Sequence, residues 1–424
     1  MTDVTKMKTA AKASHPKPRA SGKPGKKSRL NAHIDPEDLT TIVAVFTSGR
    51  SGTSLISSLL DGHPRVATTP DDILMGFYVF WEAFGNLESE ALVDAFIDQF
   101  GLLFNGAEPC KNPKSSVCHG DHEGFTTMGE DRDQTLSADV DVFRSSLRDM
   151  LPQGATVLRR LFTQALHVAY ADAIGHRLEE GAVISIGLHT PSRPVVIALI
   201  EDFSGARLLY MVREPIQTLG SHFRIFMTGA KKLVPNIPFK VVRARFLSGM
   251  PALENVKFQS RAVRLEDLHL APKRTMSAVC GWLGIPWDDA LMHSTFNGLQ
   301  YWNDKASAHQ ASGFSEKIIS QKHDSYNSRF DRFRYTVIFA RRFQGFDYLA
   351  SHTILCQPAV FALLLPLFFF PFRIEILTNR GDWGFGALKH FIKLRLLIIR
   401  YTFSPPDIVV PLRPNAIEPS PQAV

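Results

Sequence analysis

The sequence predicts an α/β protein: a three-layer arrangement in which a parallel β-sheet is flanked by helices. Three observations lead there. Short β-branched apolar runs at 41–46, 65–68, 182–188, 207–212 and 258–264 alternate with stretches of helical spacing, the pattern of parallel strands joined by right-handed crossovers. The first run opens into a loop of small residues holding two glycines and one cation. The polar groups best suited to chemistry stand just after the run ends, where open parallel sheets hold their ligands.

At 424 residues, 45% hydrophobic and 21% charged, the chain has ample material for one large folded domain with appendages. The net charge of +7 is local: the first 30 residues hold nine Lys or Arg against Asp3. The rest is near neutral, so no nucleic-acid partner is expected. Residues 1–38 read as a disordered basic tail without the apolar stretch of a signal peptide. Four cysteines in so long a chain point to a reducing, cytoplasmic setting. Cys110, Cys118, His119 and His122 are spaced C-x7-C-H-x2-H, which is no familiar zinc pattern, and no metal is expected.

Taken in order, the first strand at 41–46 leads through the glycine loop into a helix with Leu55, Ile56, Leu59 and Leu60 on one face, closed by Asp61-Gly62-His63-Pro64. The aromatic-rich segment 73–104 suggests helices covering one side of the sheet, and the polar segment 105–136 a long surface loop. Two helices are expected within 138–178, broken at Pro152-Gln153-Gly154. The strand at 182–188 delivers His189-Thr190-Pro191, that at 207–212 delivers Arg213-Glu214-Pro215, and that at 258–264 delivers Leu265-Glu266-Asp267-Leu268. Helices follow at 272–283 and 330–343, with a polar stretch between, and the domain at 40–348 ends at Tyr348.

A strand, a glycine-bearing turn and a helix start make an anion cradle, because the backbone N–H groups are free and the helix N-terminus is partly positive. Ser48-Gly49-Arg50-Ser51-Gly52-Thr53-Ser54 lacks the Lys that a nucleotide-hydrolysing loop places after its last glycine. Downstream, Arg213 and Ser221 stand eight residues apart around Arg-Glu-Pro. A helix starting at Pro215 turns both toward one point, where guanidinium and hydroxyl suit a phosphate dianion.

With those residues in place, the loop resembles the 5′-phosphosulfate loop of the sulfotransferases that use 3′-phosphoadenosine-5′-phosphosulfate (PAPS). The phrase RSGTS followed by LL-D-x-HP is similar to the tyrosylprotein and bacterial branch. The resemblance spans about 40–348 and implies a P-loop-like fold. It implies that Arg50, Ser51, Gly52, Thr53 and Ser54 take the 5′-phosphosulfate, while Arg213 and Ser221 grip the 3′-phosphate. Lys317, in Gly313-Phe314-Ser315-Glu316-Lys317, would be a second 3′-phosphate contact. Glu266 and Asp267, in a strand end similar to the family's V-x-x-E-D-L, are assigned to holding loops. Two departures stand out: His189 occupies the place of a Lys before Thr-Pro, and Pro70-Asp71-Asp72 replaces a Glu-rich segment.

Transfer to a hydroxyl needs cations on the leaving and equatorial oxygens and a base for the acceptor's proton. Arg50 is expected to supply the first; Asp71 (or Asp72) and His189 compete for the second, each with an ordinary structural role as its alternative. The other readings of the chain are a P-loop kinase for a small molecule, which would need Mg²⁺, and a non-catalytic adaptor with a nucleotide fold.

The run 353–372 has twenty residues without a charge, interrupted by Pro358, Pro366 and Pro371. A cationic amphipathic segment follows at 387–403, and the two read as a membrane-surface or re-entrant device at 349–403. Extra helices packed on the domain, or a homodimer face, are the alternative. Residues 404–424 read as a flexible Pro-rich tail. The aromatic segment 73–104 and the membrane-seeking end lean toward a lipid or amphipathic alcohol as acceptor, with the protein peripheral at a membrane.

Overall fold

The computed structural model describes residues 29–47, 49–109, 120–189, 193–229, 238, 259–303, 311–320, 326–349, 354–379, 384–403 and 409–413. The basic stretch before residue 29, the Cys110–Cys118–His119 group and residues 380–383 lie outside these residues.

Five strands form one parallel sheet: β1 (Ile42–Thr47), β2 (Val66–Thr68), β3 (Val183–His189), β4 (Arg207–Val212) and β5 (Gln259–Arg264), in the order β2-β3-β1-β4-β5. Side-chain alternation along a central strand explains the three layers. Ile42, Ala44 and Phe46 of β1 belong to one apolar cluster, and Val43 and Val45 to another on the opposite face. β4 divides the same way, with Leu208 and Tyr210 on one side and Leu209 and Met211 on the other. The second face is covered by α1 (Thr53–Leu60) and by a helix introduced below that carries Met276 and Val279.

The first face carries α2 (Phe77–Phe84), α3 (Ser89–Gln99), α4 (Val140–Met150), α5 (Arg159–Ala173) and α6 (Arg193–Asp202). Here the aromatic segment is core, not an exposed lining. Phe77, Phe80, Phe96 and Phe100 are buried and contact one another edge-on, stacked or tilted at ring separations of 4.7–6.3 Å. Burial in this cluster supplies the driving force that those side chains carry, so the segment lends no support to an apolar acceptor surface. The polar segment after it also departs from expectation: Phe125, Met128 and Leu136 reach the same core.

The described residues 31–39 and 410–412 are drawn in further than composition suggests. Asn31 is fully buried and its side chain bonds the Asp172 carboxylate at 2.9 Å. Ile34 and Leu39 join the main core, so the fold begins inside the stretch expected to be tail. At the other end, the Ala262 N–H donates to Val410 O and the Leu412 N–H to Ala262 O, adding residues 410–412 to the β5 edge. Pairing covers backbone groups that an edge strand leaves open.

The remaining α-helices among the described residues include α7 (Pro215–Gly229), α8 (Leu265–Leu270), α9 (Pro272–Leu283), α10 (Glu316–Ser320), α11 (Arg329–Ile338), α12 (Ala340–Gly345), α13 (Pro358–Leu364), α14 (Arg373–Asn379) and α15 (Phe385–Phe403). A third core joins Ile216, Leu219 and Phe223 of α7 to Tyr335 and Phe343, and both to Phe361, Phe372 and Leu394 of the appendage. The stretch Pro358–Asn379 is apolar and long enough to cross a membrane by composition. It is folded instead as α13, a 3-10 turn at Leu365–Phe369 and α14. Two buried arginines hold the break. Arg334 donates to Leu367 O and Pro371 O at 3.2 and 3.1 Å and pairs with Asp331; Arg395 donates to Phe368 O at 2.8 Å and pairs with Glu375. Carbonyls released where a helix breaks need such donors.

Candidate functional site

The topology places the site. β1 runs on to β2 at one edge while β4 runs on to β5 at the other, so the connections leaving these adjacent strands diverge and open a crevice above their carboxyl ends. The glycine loop follows β1 and the Arg-Glu-Pro turn follows β4.

In the loop, Gly49, Arg50 and Gly52 have φ of 80°, 59° and 90°. Left-handed backbone at a non-glycine residue costs about 1–2 kcal/mol, so Arg50 is held there by its surroundings. Gly52 could not be replaced cheaply, since a Cβ on it would lie 2.5 Å from Leu265 Cδ1. It is also the N-cap of α1, which no side chain caps. The N–H groups at that helix start, with its partial positive charge, face the loop. Ser51 and Thr53 are buried, and the Ser51 hydroxyl donates to Gly49 O at 3.3 Å.

Ser54 makes the first link to another motif: its hydroxyl donates to Asp71 Oδ2 at 2.7 Å. Asp71 is buried with φ 43° in the turn after β2, and Asp72, also buried, opens the 3-10 turn Ile73–Gly76. The turn can lean over the sheet because β3 has a glycine beneath it. A Cβ on Gly187 would meet Asp71 O at 2.3 Å. Gly187→Ala is therefore expected to push the Asp71 turn away and to cost roughly 1–3 kcal/mol of stability, the usual penalty for overpacking. Urea melts of the two proteins check this, and an unchanged midpoint would show that the turn yields freely. His189 ends β3 in register with Thr47 of β1; its side chain is not among the described groups.

Across the crevice, Arg50 Nε donates to Ser221 Oγ at 3.5 Å, so the two motifs meet. Ser221 is buried on α7, and Arg213 sits at the β4 end. Burial first, and then the neighbouring Arg50 charge, hold the Arg213 guanidinium's pKa below its ordinary value, while Glu266 and Glu214 pull the other way. Two guanidiniums converging under partial burial favour an anion between them. Glu214 is not a surface partner for Arg213. Its carboxylate accepts the Gln217 N–H at 2.5 Å, capping α7 ahead of Pro215. Burial raises its pKa.

Glu266 ties the Arg213 turn to the end of the domain, accepting from Glu214 N–H at 3.0 Å and from Tyr348 OH at 2.6 Å. Asp267 pairs with Arg264 at 3.3 Å. Lys317 is exposed on α10, and the contact made there is its neighbour's: Arg213 Nη2 donates to Ile318 O at 3.2 Å. Ser315 N–H donates to His269 Nδ1 at 3.0 Å; burial and then the Arg213 charge push that imidazole down to about 4, keeping it a neutral acceptor.

Beside Arg213 lies an open cleft lined among others by Ser51, Tyr210, Thr218, Phe339, Arg342 and Phe346. Arg342 and Tyr210 are site residues that sequence reasoning missed. Arg342 sits in an ordinary Arg-Arg-Phe helix pattern, and only the packing of α12 against β4 brings it in.

No protein-family model matches this chain, and no curated protein matches it. Among solved structures it is similar to the sulfotransferase domain from the Synechococcus PCC 7002 olefin synthase, at 16% identity over 71% of this chain and 94% of that one, with a TM-score of 0.36. The sulfotransferase domain from the curacin biosynthetic pathway is similar at 16% identity over 68% of this chain and 90% of that one, TM-score 0.36. Sulfotransferase STF9 from Mycobacterium avium matches at 17% identity over 62% of this chain and 70% of that one, TM-score 0.31.

Proposed function

We propose that this protein is a sulfotransferase that moves a sulfuryl group from PAPS to a hydroxyl acceptor. The observation that carries the reading is the meeting of Arg50, Arg213 and Ser221 at the divergence of β1 and β4. A single phosphate needs one such cradle. A loop whose helix start has no side-chain cap, beside a second, separate cation and hydroxyl, suits a nucleotide phosphorylated at both ends. PAPS, when bound, supplies an activated sulfuryl group on its 5′-phosphate.

Within that reading, Arg50 and the N–H groups of residues 51–54 hold the 5′ end and neutralise charge as it gathers on the leaving oxygen. Arg213 and Ser221 hold the 3′-phosphate, with Lys317 near the same edge. Asp71 takes the acceptor's proton, because its carboxylate already reaches the hydroxyl at the second position of α1. His189 is the competing base. Thr53 in place of a Lys after Gly52 fits chemistry that Arg and N–H groups support without Mg²⁺.

The acceptor proposed is an amphipathic alcohol or lipid met by a cytoplasmic protein at a membrane's edge, supported by the outward face of the appendage. Calorimetry with the product nucleotide 3′-phosphoadenosine 5′-phosphate (PAP), followed by sulfuryl transfer in excess EDTA, tests the core of the proposal. Saturable PAP binding and EDTA-resistant turnover are expected. No binding by the wild-type protein overturns it, and ATP turnover that EDTA abolishes points to a kinase.

A further inference from the structure

α15 has two apolar faces, one buried and the other exposed among the described residues. Ala387, Leu394, Arg395, Ile398 and Tyr401 face inward and are buried. On the opposite stripe, Phe385 is 85% exposed and Leu396 61%, with Leu388 and Ile392 about half exposed between them. These positions recur at helical spacing, so they form one continuous strip. The same strip carries Lys389, Lys393 and Arg400, all exposed. Helix α4 shows how a covering helix on this protein normally ends: Phe143 and Leu147 go inward while Asp141, Ser145 and Asp149 face out.

The apolar strip continues onto the neighbouring break. Arg395 of α15 holds Phe368 O and Phe370 O, and the Phe369 and Phe370 side chains beside them are more than half exposed. Charge around this surface has one sign. Among the described residues of 354–403 the acid is Glu375, and it is buried in its pair with Arg395. The cations Arg373, Lys389, Lys393 and Arg400 are all exposed.

We infer that this face, the outer strip of α15 with Phe369 and Phe370, docks flat onto an anionic lipid bilayer, so that the protein is monotopic. Large apolar side chains interleaved with lysines match an interface where acyl chains lie below anionic headgroups. A crossing segment does not fit, because Phe361, Phe368, Phe372 and Ile374 are spent on the third core. A second copy does not fit either. A two-fold contact would bring each copy's Lys389, Lys393 and Arg400 against the other's with no exposed acid among the described residues of 354–403 to receive them.

Flotation of the full-length protein with vesicles tests the inference. Binding is expected to vesicles of phosphatidylcholine containing phosphatidylglycerol and not to phosphatidylcholine alone, and raised salt should weaken it. Leu388→Glu with Ile392→Glu, and separately Lys389→Glu with Lys393→Glu, should each lower partitioning roughly tenfold or more. Circular dichroism melts establish that these surface variants stay folded. Wild-type protein that floats with neither vesicle overturns the inference, as do variants that float like wild type. A wild-type dimer that ignores vesicles and is split by the Leu388 and Ile392 changes assigns the face to a second copy instead.

Discussion

Asp71→Asn is expected to lower kcat for sulfuryl transfer by about 10²–10⁴-fold, the range spanned by loss of a positioned general base, while PAP affinity holds. The substitution suits the site. Asp71 sits at φ 43°, a region that Asn adopts as readily as Asp, so the turn keeps its shape. The Asn amide oxygen can still accept the Ser54 hydroxyl, which keeps the α1 start in place. What disappears is the capacity to take a proton at that atom. Rapid-quench turnover with PAP calorimetry on the same preparation separates chemistry from binding. Wild-type kcat in Asp71→Asn removes Asp71 from the mechanism and makes His189→Ala the deciding variant.

The second large effect is on binding. Arg213→Ala should weaken PAP at least about a hundredfold, since it removes two charge-assisted hydrogen bonds worth about 1.5–3 kcal/mol each. Arg213→Lys should recover part of that loss, because an ammonium keeps the charge but not the planar fork. Part of the alanine penalty belongs to the segment around α10, which loses the Ile318 carbonyl contact. Adding adenosine 5′-phosphate, which has no 3′-phosphate, distinguishes the contributions. It should bind wild type and Arg213→Ala with similar affinity. A large loss for both nucleotides would mean that Arg213 acts on the fold of the cleft and not on the 3′-phosphate.

Much of this was legible in the sequence because it is local. β1, β3 and β4 are continuous apolar runs, the loop has its glycines where the chain turns, and Arg213 and Ser221 are tied by the pitch of one helix. Other features depend on partners far away in sequence. Gly187 reads as an ordinary strand residue until the Asp71 turn is seen above it. Arg342 gains its place only when α12 packs beside β4. The apolar run after residue 353 was legible as apolar, but composition does not say which side of a helix a neighbour covers. Here one side goes to the protein and the other is left open. The aromatic segment at 73–104 shows the same limit in reverse, for its rings face each other.

The third core has an evolutionary and an engineering consequence. α7 presents Ser221 on one side and rests Ile216, Leu219 and Phe223 on the appendage with the other. Tyr401 of α15 in turn packs against Phe339, at 6.1 Å between rings, and under the Arg342 guanidinium. The smallest portable unit of this protein therefore extends through Tyr401. A fusion, circular permutation or natural recombination that cut at Tyr348 would carry off Arg50, Arg213 and Ser221 intact and leave behind the wall they lean on.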